Sequence, residues 1–154
     1  MEVPVTVRVQ AAAFDTAAEA AALTAGRFDI GAVVTFTGLC RAEGGRLVAL
    51  ELDHYPGMAE AEIASVAAEA ARRWPLQGLV AIHRFGRIAP GEPIVLVVTA
   101  SAHRAAAFAA AEFLMDFMKT RAPFWKKEHH PDGTSGDWVD AKDADEAATA
   151  RWAP

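Results

Sequence analysis

Among its 154 residues the sequence has one cysteine, Cys40. A single thiol excludes an internal disulfide and any zinc site built from several cysteines. Long apolar runs are also missing. Nowhere do 18 bulky apolar residues follow one another, which excludes a transmembrane helix, so no membrane partner is expected. The opening Met1-Glu2-Val3-Pro4 lacks the basic segment and apolar stretch of a secretory signal, and the expected location is the cytoplasm. Positive charge is in deficit, with 15 Lys and Arg against 20 Asp and Glu and a net charge of −5. That balance argues against a general nucleic-acid binder. No Gly-rich phosphate loop, Gly-x-Ser-x-Gly elbow or dinucleotide fingerprint occurs. His129 and His130 are adjacent rather than four apart, and Asp132 to Asp137 lacks EF-hand spacing, so neither metal nor cofactor is expected.

What the chain does have is alanine, 36 residues of it within a 53% hydrophobic composition. Without the alanines the apolar share is ordinary for one domain, and residues 1–154 are read as one. Val3, Val5, Val7 and Val9 alternate as in a half-buried strand. Asp15 or Thr16 caps a short helix that Gly26 closes. Gly31 to Gly38 and Leu47 to Tyr55 read as strands, with a polar loop over Arg41 to Arg46 between them. Ile63, Val66, Ala67, Ala70 and Trp74 recur at helical spacing up to Pro75. Gly78 to Phe85 and Pro93 to Ala100 form two strands joined by one turn through Pro90-Gly91. The second is apolar throughout, as in a strand covered on both faces. A long helix from about His103 to Arg121, a strand over Trp125 to Glu128 and a last helix from Asp143 complete the chain. Strands and helices alternate incompletely, so the expected class is α+β, a mixed or antiparallel sheet with flanking helices.

Two clusters of cations stand out on this acidic chain. His103-Arg104 follows the apolar strand and opens the long helix, with Ser101 in the expected N-cap position. Cations there oppose the helix dipole, a choice that makes sense beside a bound anion. A surface arginine beside a structural histidine is the alternative. The second cluster, Lys119 to Lys127, places four cations around Pro123, Phe124 and Trp125. Lys119 and Arg121 could simply complement the helix C-terminus. Lys126 and Lys127, beside two aromatics, also suit a flat anionic ligand. Arg104, Phe108, Met115 and Lys119 share a helical face, yet Arg104 and Lys119 lie about 22 Å apart along it. Either there are two sites, or two copies of the chain combine opposite ends of the helix. Cys40 has no histidine near it in sequence, and His54 and His83 read as structural strand residues.

The segments Gly31 to Gly38, His54-Tyr55-Pro56-Gly57-Met58, Ile82-His83-Arg84-Phe85-Gly86, Ser101 to Arg104 and Lys119 to Lys126 occur in this order in one family. Together they make the chain resemble the large, catalytic subunit of molybdopterin synthase over nearly its whole length. The resemblance implies an α/β hammerhead-like fold. It also implies a sulfurtransferase that converts cyclic pyranopterin monophosphate (precursor Z) to molybdopterin. The sulfur comes from the C-terminal Gly-Gly thiocarboxylate of a small ubiquitin-like partner, and two large subunits form a homodimer within a heterotetramer. This chain ends Arg151-Trp152-Ala153-Pro154, so the carrier is expected to be a separate polypeptide.

By the same resemblance, Lys119 and Lys126 would be catalytic, beside the thiocarboxylate. Arg41, His103 and Arg104 would hold phosphate and pterin, the last two reaching in from a second protomer. Lys127, Glu128 and Lys142 would also contact substrate, and Phe36 and Met115 would line the pocket. Leu39 stands where the family often has a basic residue, and Lys142 where it often has arginine, which loses a bidentate fork. The rival reading, a non-catalytic module for a phosphorylated heterocycle or a ubiquitin-like protein, would rest on those two departures.

Overall fold

In the computed structural model, residues 3–139 and 143–153 are described. The valine alternation produces strand β1 (Val5–Gln10), and α1 (Thr16–Thr24) follows. Asp15 is its N-cap, its Oδ1 accepting from the Ala18 amide at 3.0 Å. Next come β2 (Ala32–Leu39), β3 (Ala49–His54) and the amphipathic α2 (Met58–Arg73). Then follow β4 (Leu76–Arg84), β5 (Gly86–Ile88), β6 (Pro93–Ser101), α3 (Arg104–Thr120), β7 (Phe124–His129) and α4 (Asp143–Ala150). No helix among the described residues is long and apolar enough to cross a membrane.

The strands form two sheets. The larger is ordered β1-β4-β6-β2, with β1 parallel to β4 and the other pairs antiparallel. The smaller is antiparallel, ordered β5-β3-β7. This is the expected α+β class with mixed and antiparallel sheets. Side chains alternate across the large sheet. Leu79, Ala81, Val95 and Val97 join Ile63, Val66, Phe113 and Leu114 of α2 and α3 in the main core. Val80, Ile82, Leu96 and Val98 point the other way, toward Leu23 of α1 and Phe14. Both faces of β6 are therefore covered, which is why its sequence is apolar at every position.

Two details differ from the sequence reading. The segment between β4 and β6 is more than a turn. Gly86, at φ +92°, lets the chain leave the large sheet and form β5 in the small one. This linkage of the sheets depends on one left-handed residue, which hydrophobic periodicity does not register. Ser101 is not the N-cap of α3. It ends β6, its hydroxyl donating to the Pro75 carbonyl at 2.8 Å, while His103 occupies the cap with no side-chain capping bond.

The start of β2 is pressed against the chain leading into α3. A Cβ on Gly31 would lie 2.2 Å from the Ala102 carbonyl oxygen, and the Gly31 amide donates to the Ser101 carbonyl at 3.0 Å. Gly31→Ala should therefore lower stability by about 1–3 kcal/mol. Urea unfolding should show a lower midpoint with an unchanged slope.

Candidate active site

The two sheets meet at the C-terminal end of α3 and leave a cleft of about 100 Å³. Its walls are mostly aliphatic, with Leu39, Leu50, Leu52, Ile94, Val95 and Met115 prominent. Three ionisable side chains interrupt this lining: His83, Lys119 and Lys126. Lys119 is exposed and Lys126 half-buried, and the two ammoniums together attract any anion that enters.

Each of the three is held by its element. Lys119 lies in the last turn of α3, which closes where the Arg121 amide meets the Phe117 carbonyl at 2.7 Å. Lys126 sits mid-way along β7, paired with Leu52 of β3 on one side. On the other side its amide and carbonyl exchange hydrogen bonds with Val139, at 3.0 and 2.8 Å. The His83 ring stacks on Phe124 with 3.8 Å between centroids and 13° between planes. Its Nδ1 lies 2.8 Å from the Arg84 carbonyl oxygen, and a carbonyl can only accept, so Nδ1 carries the proton. Burial, reinforced by the nearby cations of Lys119 and Lys126, lowers the His83 pKa to about 4.

Alternation along β7 separates two adjacent lysines. Lys126 faces the cleft, whereas Lys127 belongs to the opposite face, its Nζ 5.3 Å from the ring centre of Trp138. Glu128 returns to the Lys126 side and forms an ion pair with Arg46 at 2.6 Å. Arg41, on the exposed loop after β2, pairs with Glu43 at 3.0 Å and does not line the cleft. Cys40 is buried and its thiol pKa is raised, first by desolvation and further by Glu92 and Glu43, the reverse of an activated nucleophile.

The other cation cluster is at the far end of α3. His103 and Arg104 line an open depression with Gly31, Ala32 and Phe108. Between the two ends runs a shallow groove over Val34, Phe36, Phe108 and Met115, and Met115 belongs to both groove and cleft. Phe36, Leu39 and Phe108 leave this β2–α3 face exposed and apolar. Within one chain the fold thus unites Lys119, Lys126 and Met115, and keeps His103 and Arg104 apart from them. Lys142 lies outside the described residues.

Comparison with known proteins identifies the family. The family model described as MoaE protein matches residues 9–121. This chain belongs to that family. A Mesorhizobium japonicum protein named molybdopterin synthase catalytic subunit is 69% identical, across 96% of this chain and 92% of its own length. A solved Burkholderia ambifaria molybdopterin biosynthesis MoaE protein superposes with a TM-score of 0.82 at 49% identity, covering 96% of this chain and 97% of its own. A Helicobacter pylori chain, solved in a protein–protein complex of subunits 1 and 2 of molybdopterin-converting factor, shares the fold at a TM-score of 0.66 and 21% identity, covering 90% of both chains.

Two residues are placed by contacts that the sequence does not announce. His83 reads from the sequence as a structural strand residue, and alternation along β4 puts it on the same face as Leu79 and Ala81, toward α3, where it lines the cleft. Arg46, in a loop with glycines at positive φ, carried no local signal for its pairing with a residue 82 positions away.

The lowered pKa of His83 has a consequence for stability. Below pH 6.5 the unfolded chain takes up a proton that the folded chain resists, so stability is present above that pH and is lost as pH falls toward 4. The loss attributable to this ring is on the order of 3 kcal/mol. Urea titrations from pH 7 to 4 should show it in the native chain and find it reduced in His83→Phe.

Proposed function

We propose that this chain is the catalytic subunit of a molybdopterin synthase. It takes sulfur from the C-terminal thiocarboxylate of a small ubiquitin-like partner and adds it to cyclic pyranopterin monophosphate. The observation that carries the reading is the meeting of Lys119 and Lys126 in a narrow, otherwise apolar cleft. Such a cleft suits a glycine-ended tail, which brings no side chains, and its two ammoniums suit the anionic end of that tail. The thiocarboxylate sulfur attacks a carbon of the pterin side chain, forming a carbon–sulfur bond as that carbon's bond to oxygen breaks. The oxygen leaves with the phosphate or as water, and the sulfur then links substrate and carrier as a thioester. Water then cleaves the acyl–sulfur bond, releasing the carrier as carboxylate and leaving the sulfur on the product. Lys119 and Lys126 stabilise the oxyanion that develops on the acyl carbon.

The substrate's phosphate and pterin are assigned to Arg41, His103 and Arg104, with Lys127, Glu128 and Lys142 in supporting contacts. His103 and Arg104 serve the lysines of a second protomer, because one helix holds the two groups too far apart. The exposed apolar residues of β2 and α3 supply the surface on which two copies meet, within a heterotetramer completed by two carriers. On the same reading the protein works in the cytoplasm.

The test is reconstitution with precursor Z and a thiocarboxylated small subunit, measuring molybdopterin. Lys119→Ala should lower turnover about 10²–10³-fold with fold and dimer intact. No product from the native chain with a competent carrier would remove the assignment in favour of a binding module. Mixing Lys119→Ala with Arg104→Ala protomers should restore part of the activity, since one of the two composite sites is then intact. Activity no higher than that of either variant alone would exclude composite sites.

A further inference from the structure

We propose that Arg151 and Trp152 are positioning residues for Lys119: they hold the Asp116 carboxylate away from the Lys119 ammonium and leave that charge free for an incoming anion. The inference rests on the molybdopterin synthase reading for its kinetic test and on geometry for its structural one. Asp116 and Lys119 lie three residues apart on α3. Helical side chains at that spacing are neighbours, with about 5–6 Å between Cβ atoms, and an acid and a base so placed can pair. Here no ion pair or hydrogen bond joins the two. The Asp116 carboxylate is engaged from α4 instead. Its Oδ2 accepts from Arg151 at 2.7 Å and from the Trp152 Nε1 at 2.6 Å. With the Asp116 side chain 16% exposed, these charge-assisted bonds face little competition from water.

Both donors are themselves fixed. The Trp152 ring packs edge-to-face on Trp74 and Phe113, and its carbonyl accepts from Arg73 at 2.6 Å. Arg151 also pairs with Glu112, so it bridges two carboxylates four residues apart that would otherwise repel each other. Just ahead of them, the Thr149 hydroxyl donates to the Asp116 carbonyl at 3.0 Å. The arrangement answers a problem of charge. A carboxylate resting on Lys119 would cancel the charge that an anionic tail needs, and would itself repel that tail. Turning Asp116 toward α4 removes the competitor. Nothing local to Lys119 announces this, because the donors lie 35 and 36 positions beyond Asp116.

Two substitutions release the carboxylate and a third removes it. Trp152→Phe keeps an aromatic ring against Trp74 and Phe113 but loses the donor, and Arg151→Gln removes a charge from an exposed side chain. In the reconstituted assay the double variant Arg151→Gln, Trp152→Phe should lose at least fivefold in kcat. Adding Asp116→Asn should bring kcat back to within twofold of native, since the released carboxylate is the harmful group. A loss of packing alone would not be repaired by removing a further charged partner. Native kcat in the double variant would overturn the proposal. So would a loss that Asp116→Asn leaves in place or deepens.

A second measurement needs neither pterin nor carrier. Lys119 is exposed and open to acetic anhydride, and an ammonium held by a carboxylate is acylated more slowly. Peptide mass spectrometry should show Lys119 labelling slowed at least threefold in the double variant and returned to the native rate by Asp116→Asn. If the double variant does not fold, Arg151→Gln alone, which keeps the tryptophan packing, carries both tests with the same expected directions. An unchanged labelling rate, or a slowing that Asp116→Asn fails to reverse, would reject the proposal. Because this readout is independent of substrate, a failed sequestration and a failed functional assignment give different results.

Discussion

The close seating of α3 on β6 governs the geometry of the cleft and of both cation clusters. Ala107, Ala110 and Ala111 form the first half of the helix's buried face, ahead of Phe113, Leu114 and Met118, and side chains this small let the backbone there approach the sheet. The approach is fixed by a hydroxyl: Thr99, wholly buried on β6, donates from Oγ1 to the Ala107 carbonyl at 2.7 Å. A buried polar atom left without its partner costs far more than a formed bond gains, so this contact admits few alternatives. Seating the helix simultaneously places Arg104 at one end and Lys119 at the other. The high alanine content of the sequence thus has a specific use at this contact.

The cleft itself is a problem in charge management. Lysines held near apolar walls attract anions strongly but also repel each other and any further cation. The cleft they share is otherwise lined mainly by leucine, isoleucine, valine and methionine, with one histidine that resists protonation. The more distant ion pairs are kept apart from this space. Arg84, buried where β1, β4 and β6 end, spends its guanidinium on the Ala11 and Pro93 carbonyls and on Glu92. It holds strand ends together and leaves the pocket's field to the lysines.

Much of this was legible from residue order. Alternation exposed β1, the unbroken apolar run exposed the doubly covered β6, and Pro75 and Pro123 marked where α2 and α3 stop. Both lysines of the cleft were named from the cation cluster and its resemblance. What stayed hidden depended on contacts between distant segments. Gly86 turns β4 into a strand of the other sheet, and no local pattern announces a change of sheet. The opposite orientations of Lys126 and Lys127 follow from strand alternation, but only once β7 is known to be a strand with one face toward α3. His83 looked like a core histidine because its neighbours are core residues; Lys119 and Lys126 reach it from 36 and 43 positions further along the chain.

The four tryptophans divide along the same lines as the architecture. Trp74 and Trp152 pack edge-to-face with each other and with Phe113, at centroid distances of 5.2 to 5.6 Å, and the Trp152 Nε1 donates to Asp116 on α3 at 2.6 Å. Trp125 and Trp138 instead lie exposed. The chain therefore carries two intrinsic optical reporters. Rigid, asymmetric ring contacts give the first pair a near-ultraviolet circular dichroism signal that reads the seating of α3. The second pair, open to quenchers, reads the outer face of the small sheet. Light alone can thus distinguish a loosened helix from an altered strand surface, with no label attached.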